Sequence, residues 1–434
     1  MADFLQTLII AVTLGSLYAL IALGYTMVYG VLKLINFAHS DIVVLGAWLS
    51  VTLGVFFLPF LGITPADHWW SGGLVLILAM LICGAIGFLI ERLAYKPIRK
   101  APRLNALITA IGVSLFLQNF GQLRYTIVPN ERVVAAGESI ELGSQPRTIR
   151  LPAPVTIETG GNYTVRLFKK VNQAGAPVAS GGSGSNFKLA AQPGSYAAGT
   201  DLPLEGSIGR AATRDARFEL LRIASYPPLQ LPFGAMPAAM PTLFEDKPLI
   251  QKTFVSQTEY GPLEKPVRIT LLDAIIIITA AALMIGLQIL VFKTRIGTAM
   301  RAVSFNMETS ALMGIAVNRI VSFTFVTGTM LAAAAGFLYA LRYQQVQQPA
   351  HATWVLLGLK AFVAAVVGGI GNIRGATVGG FLIAFIEQFG AYLGQQIGWQ
   401  NASAYTDVFV FVLLIVVLLV KPTGIFGSTV REKV

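Results

Sequence analysis

Charge and cysteine are what this chain has little of. Of its 434 residues only 12% are charged, whereas soluble domains run near a quarter. One cysteine, Cys83, lies inside an apolar run, which excludes an intrachain disulfide and a cysteine metal site. The three histidines, His39, His68 and His351, are scattered, so no metal-binding site is expected. There is no GxxxxGK[ST] phosphate loop, no HExxH pair and no convincing Ser/His/Asp arrangement. Neither ATP binding by that loop nor chemistry on a substrate is therefore expected of this chain. Residues 1–6 carry no Lys or Arg, so the basic start of a cleaved secretory signal is missing and the first apolar segment is expected to stay as a span.

Apolar residues are present instead, at 55% of the chain. A helix needs roughly 20 apolar residues to cross about 30 Å of hydrocarbon. On that measure spans are expected near 5–32, 41–58, 73–94, 105–123, 271–292, 321–341, 355–371, 376–397 and 407–420. The first is long enough to be broken or tilted, and the Gly-rich stretch 361–370 is a candidate re-entrant segment. The expected fold class is an all-α polytopic membrane protein of about 8–10 transmembrane helices.

Charge orients the spans. The net charge is +11, and its basic residues cluster at Lys96, Arg99, Lys100 and Arg103, at Lys293, Arg295 and Arg301, and at Lys421, Arg431 and Lys433. Lys33 and Arg374 fall on the same side. The alternate short loops, 59–71, 344–353 and 399–404, have no Lys or Arg, with Arg342 the one exception nearby. Because short cytoplasmic loops retain basic residues, the expected topology places the N-terminus outside and the C-terminus in the cytoplasm.

Residues 124–268 break the pattern. They hold no span, and they carry 16 basic and 12 acidic residues among many Pro, Gly and Ser. Short period-two runs near 133–142, 148–157, 164–171, 186–190 and 217–223 suggest an extracytoplasmic β-rich, sandwich-like domain over about 130–225. The stretch 181–185 reads as a loop tip, and 226–268 as an extended tether. The insert divides the membrane part into 1–123 and 269–434. The alternative is a disordered loop.

Three stretches carry candidate functional residues. Asn36, His39 and Asp41 sit at the joint between the first two spans. Polar groups at membrane depth are costly, so they line a path or hold a helix break, or else cap the next helix. Residues 292–315, FKTRIGTAMRAVSFNMETSALMGI, read as a short amphipathic helix with Ala302, Phe305, Ala311 and Leu312 on one apolar face. That face suits a groove on a docking partner or a lipid surface. In 360–380, KAFVAAVVGGIGNIRGATVGG, the glycines Gly368, Gly369, Gly371, Gly375, Gly379 and Gly380 permit close helix approach or unwinding. Lys360 in this stretch and Glu387 in the following span are expected to pair.

At these residues the chain resembles a known family. GSLYALIALGYTMVYGVLKLINFAHSDIVVLGAW at 15–48 is similar to the opening of the permeases of high-affinity branched-chain amino-acid ABC importers. ERLAYKPIRKAPRLNALITAIGVSLFLQN at 91–119, RIGTAMRAVSFNMETSALMGI at 295–315, LKAFVAAVVGGIGNIRGATVGG at 359–380 and KPTGIFG at 421–427 resemble its later blocks in the same order. The resemblance implies a path formed with a second related permease in a bacterial inner membrane, driven by two cytoplasmic ATPases and supplied by a periplasmic binding protein. ATP is then used by the partner subunits, this chain binds no cofactor, and it has no nucleic-acid partner. Branched-chain or other small amino acids are the implied cargo. Arg301, Ala302, Glu308, Ala311 and Gly314 fall in the implied coupling loop, within 293–320. The path candidates are Asn36, His39, Asp41, Gln118, Asn119, Lys360 and Glu387. Two departures stand out. Asn306-Met307 replaces an acidic or amide residue followed by Pro in the loop, and usual members have only a short loop where 124–268 stands. Related permeases that move urea and short amides share much of the pattern. A stand-alone channel or ion-driven transporter, and a membrane-anchored sensor displaying the β-rich segment, are the readings from other classes.

Overall fold

The structure, a computed structural model, describes residues 2–33, 36–63, 68, 70–99, 101–122, 125–127, 132–138, 148–157, 162–169, 186–189, 192–205, 216–223, 229–231, 237–244, 246–258, 261–347, 350–399 and 401–427. It divides into two compact units: Met1–Arg124 with Leu231–Val434, and Tyr125–Gln230.

The first unit is helical. α1 (Ala2–Leu32) is apolar on every face, and a helix of that kind belongs at the centre of a bundle. Its side chains are buried almost without a break from Ala11 to Val28. The helix is continuous rather than broken. It packs against α5 (Leu271–Lys293), α8 (Val317–Tyr343), α9 (Ala352–Gly368) and α10 (Ile373–Gln396). Small residues set these approaches. A Cβ on Gly380 would lie 2.4 Å from the Ala19 amide nitrogen, and one on Gly336 would lie 2.1 Å from the Val43 carbonyl oxygen of α2 (His39–Phe60).

α2 and α3 (Ser71–Ile98) each contain one widened turn, at Leu53–Phe57 and Glu91–Tyr95. Pro59 and Pro97 follow two residues after each. Proline lacks an amide hydrogen and its ring clashes with the carbonyl four residues back. The wider turn carries both helices past that clash. α4 (Arg103–Gln122) and α11 (Thr406–Val420) lie at the periphery, with few of their residues buried.

Among the described residues, eight helices are long and apolar enough to cross a membrane. The ninth expected span is α9. Its 17 residues extend about 26 Å at 1.5 Å per residue, short of the hydrocarbon thickness. It ends where Gly369 (φ 106°) and Gly371 (φ 93°) take left-handed conformations that favour glycine.

Between α5 and α8 the chain turns twice. Thr294 caps α6 (Arg295–Phe305), its Oγ1 accepting from the Gly297 amide at 3.0 Å. Asn306 breaks the helix at φ −154° and caps α7 (Met307–Leu312), accepting from the Thr309 amide at 2.9 Å.

The segment 226–268, expected to be an extended tether, is extended and partly paired. Pro248–Thr258 and Gly261–Thr270 form an antiparallel hairpin that leads directly into α5. Aromatic and β-branched residues such as Phe254, Val255, Val267 and Ile269 give it strand character among the prolines. The second unit holds short strands in small antiparallel sheets. The longest sheet runs Arg132–Glu138, Ala216–Ile223, Asn162–Lys169, Asn186–Leu189, Asp201–Glu205 and Thr148–Arg150 in spatial order. The buried residues of this unit include Ile149, Leu151, Val155, Val165, Leu202 and Leu220. The stretch 181–185 lies outside the described residues.

Candidate functional site: two polar centres and a helical handle

The first polar centre is built on α1, α9, α10 and α11. Lys360 Nζ donates to Glu387 Oε1 at 2.9 Å and lies 2.5 Å from Asp407 Oδ1. Tyr18 Oη donates to Glu387 Oε2 at 2.8 Å. The expected Lys360–Glu387 pair therefore exists as a four-residue network. Tyr18 and Asp407 were not legible as members. Tyr18 looks like one more aromatic in an apolar helix, and Asp407 like a helix-start residue. A buried ion pair keeps its place only when its remaining hydrogen-bonding capacity is met, and these two residues meet it.

The second centre surrounds the start of α2. His39 is fully buried, its ring 4.5 Å from the Tyr25 ring, and a Cβ on Gly24 would lie 2.3 Å from its imidazole. Asn36 Oδ1 accepts from Tyr95 Oη at 2.6 Å and from the Ala38 amide at 3.1 Å. It thus ties the joint to α3. Asp41 Oδ1 accepts from Gln118 Nε2 of α4 at 2.9 Å, while its buried Oδ2 has no hydrogen-bond partner. Asn119 does not join this group. It is exposed, and its amide donates to the carbonyl of Leu115 on its own helix. Asp41 and Gln118 open onto a cavity of about 450 Å³ between α2, α3 and α4.

A further buried charge lies near the basic end of α3. Glu91, in the widened turn, pairs with Arg99 and accepts from Ser322 Oγ of α8 at 2.6 Å. Arg99 also donates to Asn318 Oδ1 at 2.8 Å. In the sequence Arg99 is one of a basic cluster, and nothing there marks Glu91 as its partner.

The glycines form one joint. A Cβ on Gly368 would lie 2.0 Å from the Gly375 carbonyl oxygen, and one on Gly379 would lie 2.1 Å from that of Ala364. The closing 421–427 segment docks here. The Ile425 amide donates to the Val367 carbonyl at 2.8 Å, the Phe426 amide to that of Gly368 at 3.0 Å, and Asn372 Nδ2 to the Phe426 carbonyl at 2.9 Å.

α6 and α7 form the handle. Met300 and Val303 point inward, whereas Phe305 (93% exposed), Leu312 (88%) and Met313 stand free beside Glu308 and Ala311. Ala302 is half-buried between them. Arg301 holds the base, donating to the Val291 carbonyl at 2.8 Å with its guanidinium 5.5 Å from the Phe292 ring. Arg374, at the start of α10, lies 5.4 Å from the same ring. Gly314 (φ 82°) ends α7 in open space. Among the described residues no cluster of His, Cys, Asp or Glu could hold a metal.

Residues 7–145 and 239–418 match the profile of a family described as branched-chain amino acid transport system / permease component. The chain belongs to that family. The permease is 31% identical to the high-affinity branched-chain amino acid transport system permease protein LivH of Salmonella typhimurium, over 99% of this chain and 98% of the relative. It is 30% identical to LivH of Escherichia coli K12 and 29% to BraD of Pseudomonas aeruginosa, each over the same shares. No solved structure matches the chain. The protein is thus a multi-pass membrane permease subunit of an ABC importer, not an enzyme. The profile passes over residues 146–238, which lie within the segment noted above as a departure.

Proposed function

We propose that this permease carries branched-chain amino acids across a bacterial inner membrane, driven by ATP that partner subunits hydrolyse. The supporting observation is the family match over both membrane parts, joined by relatives that bear this substrate in their names. A second permease covers part of the exposed apolar face, two ATPases grip α6 and α7, and a periplasmic binding protein delivers the cargo. The exposed Phe305, Leu312 and Met313 suit a groove on an ATPase, with Arg301, Ala302, Glu308, Ala311 and Gly314 as its frame. The chain itself binds no cofactor.

In this reading α9 crosses the membrane as a ninth, short span, aided by local thinning of the bilayer. The N-terminus then faces outside and the C-terminus the cytoplasm, which puts the Lys96–Arg103 and Lys293–Arg301 clusters inside. The 124–268 segment is extracytoplasmic and β-rich, and it contacts the binding protein or another envelope component. Asn36, His39, Asp41, Gln118, Lys360 and Glu387 line or support the path, while the Gly368–Gly379 joint lets α9 and α10 shift. Uptake by proteoliposomes containing the full importer tests the cargo: leucine, isoleucine and valine accumulate and urea does not. Urea accumulation without leucine accumulation rejects it.

A further inference from the structure

A line of polar contacts runs from the handle to the joint between α1 and α2. It begins at Asn318, in the first turn of α8, which follows α7 closely. Asn318 Oδ1 accepts from Nη1 of Arg99, just past the end of α3, at 2.8 Å. Arg99 also pairs with Glu91, whose Oε2 accepts from Ser322 Oγ of α8 at 2.6 Å. Glu91 opens the widened turn of α3 and Tyr95 closes it. Tyr95 Oη donates to Asn36 Oδ1 at 2.6 Å, and the same oxygen accepts from the Ala38 amide just before α2. Glu91 and Tyr95 are only 1% and 3% exposed. Parting a buried ion pair is costly, so α8 and this end of α3 move together. In the widened turn the Lys96 amide bonds back five residues to the Glu91 carbonyl. Helices bend at such turns, which are frequent at functional sites. Arg99 Nε is buried and has no partner among the described residues, which leaves the clamp a donor for a second arrangement.

We propose that Arg99, Glu91 and Tyr95 form a relay that converts a shift of the docked handle into a bend of α3 at its widened turn, and through Asn36 into a shift of the α1–α2 joint. The assignment rests on the proposed function, because it takes α6 and α7 as the place where the ATPases act. Coupling between distant sites needs bonded contacts around an element with two arrangements, and the widened turn is that element here. The three are positioning residues: they touch neither cargo nor nucleotide. Cutting the relay therefore leaves ATPase docking and ATP hydrolysis in place and separates hydrolysis from transport. A purely structural role for the same contacts predicts the opposite, a loss of stability with the transport yield per ATP unchanged.

The test uses the assembled importer in proteoliposomes, with leucine uptake and phosphate release measured together; their ratio reads the coupling. Tyr95→Phe keeps the ring, whose centroid lies 5.2 Å from that of Phe325, and removes only the hydroxyl on Asn36. Ser322→Ala removes one donor to Glu91. Each is expected to lower leucine carried per ATP by about fivefold, the scale of one lost hydrogen bond, with phosphate release and melting temperature close to wild type. Because both cut one relay, the Tyr95→Phe/Ser322→Ala double variant should lose less than the product of the two single losses. Arg99→Ala strands a buried carboxylate, so it is made together with Glu91→Gln, and this pair should be uncoupled as well. Arg99→Lys keeps the charge but not the fork, and it should restore part of the ratio. A wild-type ratio in Tyr95→Phe and in Arg99→Ala/Glu91→Gln, losses that multiply in the double variant, or ATPases that no longer co-purify with the variants overturn the relay and leave the proposed function standing. Leucine uptake by the wild-type permeases without ATPases overturns both.

Discussion

Gly368 and Gly375 stand backbone to backbone. A Cβ on either would lie 2.0 to 2.2 Å from the carbonyl oxygen of the other, so neither position has room for a side chain. Gly368→Ala must push α9 from α10 and disturb the docked 421–427 segment. Overpacking of this kind costs roughly 1–3 kcal/mol. The expected result is a lower melting temperature in detergent and a loss of uptake. Gly112→Ala on α4, where an added Cβ meets nothing within 4 Å, should change neither.

Lys360 serves two carboxylates, Glu387 and Asp407. Exchanging the charges of Lys360 and Glu387 would set a new glutamate beside Asp407. The double swap should therefore fail to rescue the single variants, although the pair is real. Lys360→Met alone leaves two acids facing each other and should destabilise by about 3–5 kcal/mol. Adding Glu387→Gln should recover part of that loss in a thermal unfolding assay. Full rescue by the charge swap would argue against the Asp407 contact.

Phe305 and Leu312 are exposed and make little of the fold. Phe305→Ser should leave thermal stability within about 0.5 kcal/mol, as exposed substitutions do. The same variant should lower ATP-driven uptake by about tenfold if the ring anchors an ATPase groove. Co-purification of the ATPase with wild-type and variant permease reads that contact directly.

Much of this was legible in the sequence because membranes impose simple demands. Apolar length marked the spans, and the glycine spacing of 368–380 marked the close approach of α9 and α10. Lys360 and Glu387 announced each other because lone charges are rare in apolar helices. Other partners were hidden. Asp407, Tyr18, Ser322 and Asn318 become partners only when distant helices meet, and no local pattern encodes such meetings. The end expected for α9, at 371, lies three residues past the helix because Gly369–Gly371 is apolar in composition yet ends the helix by its backbone conformation. The hairpin over Pro248–Thr270 was hidden by its prolines, which usually mark unpaired chain.

The ends of the second unit bear on its removal. Tyr125–Ile127 pairs with Leu229–Leu231, so the chain leaves and returns at adjacent points. Replacing 132–223 with a short Gly/Ser linker should leave the helical unit folded and inserted, as judged by a single symmetric peak in detergent chromatography. If the segment contacts the binding protein, the same deletion should weaken binding-protein affinity for the importer. Unchanged affinity and unchanged uptake would reject that role.

Orientation is open to direct labelling, because Cys83 is the one cysteine and is fully buried. In a Cys83→Ser background, single cysteines at Gln347 and Ser304 should react from opposite sides with a membrane-impermeant maleimide. Labelling of Gln347→Cys in intact spheroplasts, with Ser304→Cys protected until lysis, is the expected outcome.

The central claim is that this chain is a permease that moves its cargo only when a cytoplasmic motor is docked on α6 and α7. Leucine accumulation by proteoliposomes, measured with and without the two ATPases, tests it most directly. The account predicts concentrative uptake with ATPases, ATP and binding protein together, and none from the permeases alone. Leucine flux at comparable rates without the ATPases would contradict it and identify a channel or ion-driven carrier.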